Sequence, residues 1–108
     1  TLAASLSLLV VAPAGAQPSD ARYLAANCAN CHGTDGRAAA GAGMPGLAGL
    51  SVAYFTEQMN AFRAGKREAT IMHQIAKGYT DAQIAAMAQY FAAQKADKRI
   101  APTMRRPG

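Results

Sequence analysis

The 108-residue chain has no tryptophan and only three phenylalanines and four tyrosines, so large aromatic side chains cannot fill its core. Two cysteines are too few for the disulfide framework that staples small secreted scaffolds. Charged residues make up 16%, which excludes a highly charged disordered tail. No apolar run approaches the ~20 residues of a spanning helix, so no stable membrane insertion is expected. No stretch alternates with the period of two that marks a strand. A chain of this length holds one small domain.

What is there is alanine: 27 of them, a quarter of the chain, which makes the 51% hydrophobic content misleading. Beyond position 16 only sixteen large aliphatic, Met or Phe residues occur, from Leu24 to Met104. Small chains bury a small share of their surface, and alanine adds little apolar area. A cofactor, a metal or a partner is therefore expected to supply core volume.

Residues 1–16, TLAASLSLLVVAPAGA, are uncharged and apolar, then carry Pro13 and the small-residue pattern Ala14-Gly15-Ala16. They read as a signal peptide whose initiating Met and basic n-region are missing, with an uncleaved membrane anchor as the alternative. Export places the protein in the periplasm, where a lone Cys pair could be oxidised. Residues 17–97 form the expected domain, and residues 98–108, with Arg105 and Arg106, a basic C-terminal tail.

The fold class is all-α. Ser19 is the expected N-cap of a helix over Asp20–Ala29. Six glycines and Pro45 between Gly33 and Gly49 mark a long loop, of the kind that is functional or wrapped on something. Ser51 caps a second helix whose face is Val52, Phe55, Met59 and Phe62, with Gly65 at its C′ position. Thr70–Lys77 is a short helix ended by Gly78. Thr80 and Gln83 form a capping box that opens a last helix through about Lys95, with Ile84, Met87 and Phe91 on one face and Tyr90 beside it.

The chemistry sits at Cys28-Ala29-Asn30-Cys31-His32, a C-x-x-C-H sequence that attaches haem c. Each thiol adds across one haem vinyl group to give a thioether, and the adjacent His lies under the iron as proximal ligand. A thioredoxin-type dithiol needs a βαβ setting, and no strand is signalled. A zinc site needs a fourth ligand, and His73 is the one histidine left besides His32. The sixth position has three candidates. Met59 and Met87 fall on helix faces and read as core, and Met104 lies in the tail. Met72, forty residues after His32 and between two well-capped helices, is the expected ligand. Met44 in the glycine loop and His73, which would give a lower potential, are the alternatives.

The segment from Cys28 to Gly33, followed by Met44-Pro45-Gly46-Leu47, resembles class I cytochromes c. The resemblance implies three to four short helices wrapped around one covalently bound haem. It implies that the Pro45 carbonyl accepts a bond from the ring N–H of His32, fixing its tautomer, and that Leu47 packs on the haem. The later run Ala69-Thr-Ile-Met72 through Tyr79-Thr80, then Met87-Ala-Gln-Tyr90-Phe91, is similar to the cytochrome subunit of flavocytochrome c sulfide dehydrogenase. There the Met of Thr-Ile-Met is the axial ligand, which carries over to Met72. Many such subunits have two haem domains; this chain has one C-x-x-C-H and would match the first domain or a monohaem form. His73 departs from the small residue expected at that place.

The implied role is carriage of single electrons, accepted from a flavoprotein (FAD) sulfide dehydrogenase subunit, with no catalysis by this chain alone. The alternatives are a free-standing periplasmic carrier serving a terminal oxidase or other redox enzyme, and a haem protein with an open sixth site. No G-x-G-x-x-G fingerprint is present, so the flavin belongs to a separate chain. Of the net charge of +5, Arg63, Lys66, Arg67, Lys77, Lys95, Lys98 and Arg99 either ring a docking face or simply solvate helices. No nucleic-acid motif accompanies this charge, and no nucleic acid partner is expected.

Overall fold

The computed structural model describes residues 2–11 and 18–96. Within them the chain is helical, with no strand. Helix α1 spans Pro18–Ala26, α2 is the single turn Ala29–His32, and a 3-10 turn covers Thr34–Gly36. Helices α3 (Val52–Arg63), α4 (Met72–Lys77) and α5 (Asp81–Ala92) follow. Among the described residues no helix is long and apolar enough to cross a membrane. Residues 2–11 are exposed and irregular. The expected cleavage pattern at Ala14–Ala16 and the basic tail, with Lys98, Arg99 and Met104, lie outside the described residues.

The expected first helix is split. It starts at Pro18, one residue ahead of the expected cap Ser19, where proline's missing N–H costs nothing. It stops at Ala26, and Cys28 then opens a new turn: the His32 N–H donates to the Cys28 carbonyl at 2.8 Å and the Gly33 N–H to Ala29 at 3.0 Å. The break keeps the C-x-x-C-H residues on their own helical turn.

Helices α3 and α5 start where the caps are. The Tyr54 N–H donates to Ser51 Oγ at 3.0 Å. Gln83 N–H donates to Thr80 Oγ1 at 3.1 Å, and Thr80 N–H to Gln83 Oε1 at 2.9 Å, closing the capping box reciprocally. Removing it with Thr80→Ala should cost about 1 kcal/mol, read as a lowered midpoint in denaturant with an unchanged slope. At the other end of α3, Gly65 takes φ 69°. Gly65 N–H meets the Phe62 carbonyl and Lys66 N–H the Ala61 carbonyl, the paired bonds of a Schellman terminus. Helix α5 ends at Ala92, short of Lys95.

The core is where α5 crosses between α1 and α3, and it packs on both. Phe91, Ile84, Met87 and Ala88 of α5 are fully buried against Phe55, Met59 and Phe62 of α3, with Ala25, Leu50 and Ala76 completing the cluster. Phe55 and Phe91 stack with centroids 5.5 Å apart. Val52, expected on the buried face of α3, is 42% exposed. It is the first residue of the helix. The α4 residues match their expected range closely, but Ile71 and Ile75 stay exposed, at 54% and 39%.

Residues 33–50 are the expected glycine loop, and two glycines in it are irreplaceable. At Gly33, with φ 83°, a Cβ would sit 2.1 Å from the Arg37 carbonyl oxygen. At Gly36, with φ 77°, it would fall within 2.9 Å of Ala48, Leu47 and Phe91 at once. The Gly36 carbonyl accepts from the Leu47 and Ala48 N–H groups, so the loop folds back on itself. Its far end is tied to α5 by the Gly49 N–H on the Phe91 carbonyl at 2.8 Å, and nearer its start Arg37 Nε donates to the carbonyl of Lys95, beyond α5, at 2.8 Å.

Candidate functional site

The C-x-x-C-H turn brings three donors together because it is one helical turn. Cys28 caps it, Cys31 lies three residues on, and His32 is its last residue. Both thiols are free; Cys28 is half-buried and Cys31 exposed. Burial, and secondarily the neighbouring Cys31, raise the pKa of Cys28 above the ordinary thiol value, so at neutral pH it is S–H. Addition to a vinyl group consumes that hydrogen along with the sulfur, with no change of oxidation state.

His32 is 6% exposed, the one polar side chain in the buried set among the described residues. Its Nδ1 lies 2.8 Å from the Pro45 carbonyl oxygen. A carbonyl accepts and never donates, so Nδ1 carries a proton and is the donor of this bond. No buried side-chain N or O among the described residues lacks a partner. The glycine loop makes this contact possible: Gly33 turns the chain out, and the Gly36 bonds to Leu47 and Ala48 return it with Pro45 over the ring.

Leu47 is half-buried against the helical core, as are Leu24, Tyr54, Ala69, Met72, Tyr79 and Tyr90. Each packs on the fully buried cluster while staying partly exposed itself. Met72 opens α4, which packs on α3, while the C-x-x-C-H turn packs on α1 and the 3-10 turn. The thioether and the imidazole thus come from different parts of the fold. Met59 and Met87 are core residues, 6% and 0% exposed. Met44 is half-buried in the loop and His73 half-buried on α4. Among the described residues no three His, Cys, Asp or Glu side chains group as a metal cluster, which leaves the zinc reading without its ligand set.

This donor set suits a covalently tethered haem: two free thiols on one turn, an imidazole held through Nδ1, and a half-buried thioether. Sequence reasoning missed the ties that hold the site's surroundings. Tyr90 donates to Asp35 Oδ1 in the 3-10 turn, and Asp35 also faces Arg37 at 3.4 Å. That bond, with minor burial and charge contributions, raises the Tyr90 pKa. Arg63 donates to the Tyr79 carbonyl and Asp81, and Arg67 lies 4.7 Å over the Phe62 ring with a bond to Gln58. Both arginines have partners within the chain; Arg63 is half-buried, whereas Arg67, Lys66 and Lys77 are exposed. Nothing in the local pattern marks an arginine for such a role.

Residues 18–95 match the protein family described as Cytochrome c. Over 78 residues the chain is 38% identical to the thiosulfate dehydrogenase electron acceptor of Thiomonas intermedia, covering 72% of this chain and 36% of that protein. It is 38% identical over 73 residues to the cytochrome subunit of sulfide dehydrogenase of Chlorobaculum tepidum, covering 68% and 64% respectively. The chain thus spans about a third of the first relative and just under two thirds of the second. Among solved structures, thiosulfate dehydrogenase (TsdBA) from Marichromatium purpuratum superimposes with a TM-score of 0.68 at 34% identity, over 81% of this chain and 21% of that one.

Proposed function

We propose that this chain, which belongs to the cytochrome c family, carries single electrons in the periplasm on one haem c and accepts them from a flavoprotein sulfide dehydrogenase subunit. Haem c, when bound, supplies the one-electron ferric–ferrous couple. The protein's part is attachment, orientation and tuning. Cys28 and Cys31 tether the group, so it cannot leave between partners. His32 is the proximal ligand through Nε2. The Pro45 carbonyl holds the proton on Nδ1, which fixes the ring and makes Nε2 more basic. Leu47 packs on the macrocycle, and Met72 supplies the sixth ligand. Held by the His32 imidazole and the Met72 thioether, the iron would have the higher potential that a thioether ligand gives.

The observation that carries this reading is the buried His32 seated on Pro45 beside two free thiols. The sulfide dehydrogenase relative supports the partner. Export is supported by the apolar, charge-free run of residues 1–16 ending in Ala-Gly-Ala. A second reading, acceptance from a thiosulfate dehydrogenase, has support in the Thiomonas and Marichromatium proteins. The test is reduction of the purified ferric protein. Sulfide plus a flavoprotein sulfide dehydrogenase should reduce it many-fold faster than sulfide alone. Fast reduction by thiosulfate with its dehydrogenase, and none in the first mixture, would replace the first reading by the second.

A further inference from the structure

We propose that Arg63 is a positioning residue for the sixth ligand: one guanidinium clips the loop that carries Met72 closed at its base. The proposal rests on Met72 being that ligand. Arg63 is the last residue of α3. The chain then forms a loop over residues 64–78 that bears Met72 and His73 side by side on α4, packs on α3 through α4, and leads into α5 past Tyr79. Arg63 Nη1 donates to the Tyr79 carbonyl at 3.0 Å, and Nη2 donates to Asp81, the first residue of α5. One side chain thus joins the residue where the loop departs to the two where it returns. The Arg63 side chain is 29% exposed, so the clip is shielded on one side, whereas Asp81 is 86% exposed.

The loop needs such a device. Its helix is short, and the N-cap Ile71 (φ −139°, ψ −24°) offers no side-chain bond. The α4 backbone bonds close locally, from Gln74 and Ile75 back to Ile71, and from Gly78 to Ile75. Ala76 is the fully buried anchor against the core, but it is a single methyl group. Neighbours on an α-helix point about 100° apart, so Met72 and His73 exchange places at the site if α4 rolls by that angle. Joining the loop ends restricts this roll. The planar guanidinium reaches a carbonyl and a carboxylate together, which a lysine ammonium does less well.

The test uses the haem-loaded protein and free imidazole as probe. Imidazole binds ferric haem where the sixth ligand has left, so its apparent affinity scales with that open population. Arg63→Gln removes charge-assisted bonds and should tighten imidazole binding by roughly tenfold. It should also weaken the long-wavelength absorption band of thioether-bound ferric haem, far below the melting temperature. Arg63→Lys, which keeps the charge, should fall between. Ser51→Ala, which removes the α3 cap and lowers stability without touching the loop, is the control and should leave both signals at the parent level. Arg63→Gln matching the parent, or Ser51→Ala shifting imidazole affinity as far, overturns the clip while leaving the ligand assignment intact. A parent protein without the thioether band overturns that assignment and the clip with it.

Discussion

Without haem, the chain is expected to be largely unfolded: Cys28→Ser/Cys31→Ser protein prepared free of haem should show no cooperative thermal transition by circular dichroism. Ordering a residue costs about 1–2 kcal/mol of backbone entropy, and long stretches here return little burial for it. The loop from Arg37 to Leu50 places only Ala38, Ala48 and Leu50 in the buried set. The large buried side chains are Leu50, Phe55, Met59, Phe62, Ile84, Met87 and Phe91, seven in all, among the described residues. A rim of half-buried residues, including Leu24, Leu47, Tyr54, Met72 and Tyr79, awaits a further apolar surface. A flat macrocycle fixed by two thioethers supplies that surface and, being covalent, cannot be diluted away. A sharp transition in the haem-free variant would show that the helical cluster of α3 and α5 suffices alone.

Met72→Ala should leave a folded, haem-loaded protein with changed electronic properties. The band of thioether-bound ferric haem should vanish. The potential should fall by on the order of a tenth of a volt or more, within the about 0.8 V range that axial ligands command. Carbon monoxide, which a filled sixth site excludes, should then bind the ferrous form. Met44→Ala and His73→Ala should retain the band, because neither residue is the assigned ligand. A Met72→Ala protein that kept the band would refute the assignment, and the Met44→Ala variant would then show whether the loop thioether takes its place. Redox potentiometry and absorption on the three variants decide the matter in one series.

The features legible from the sequence act over a few residues. Ser51 caps α3, and Thr80 with Gln83 caps α5, because each bond joins a side chain to a backbone group three residues away. Phe55, Met59 and Phe62 share a buried face through helical spacing, as do Ile84, Met87 and Phe91. The Cys28–His32 turn is set by its own five residues. The contact of His32 with Pro45 spans thirteen positions and was accessible only through likeness to class I cytochromes c; spacing alone does not fix it.

Other features depended on where distant segments meet. The first helix breaks at Asn27–Cys28, although its alanines favour continuation. Val52, Ile71 and Ile75 fit amphipathic patterns but stay exposed, because periodicity marks a face without saying whether a neighbour covers it. Arg37, Arg63 and Arg67 counted toward a net positive charge, yet they join Lys95, Tyr79 with Asp81, and Gln58. Asp35 and Tyr90 bond across 55 positions. By itself, then, the sequence determined the starts and caps of α3 and α5 and the Cys28–His32 turn, since those bonds close within one turn of chain. Only the tertiary structure decided which residues stay half-buried against the core and that Arg63 joins Tyr79 and Asp81. Those contacts exist only after the glycine loop and α5 have brought remote parts of the chain together.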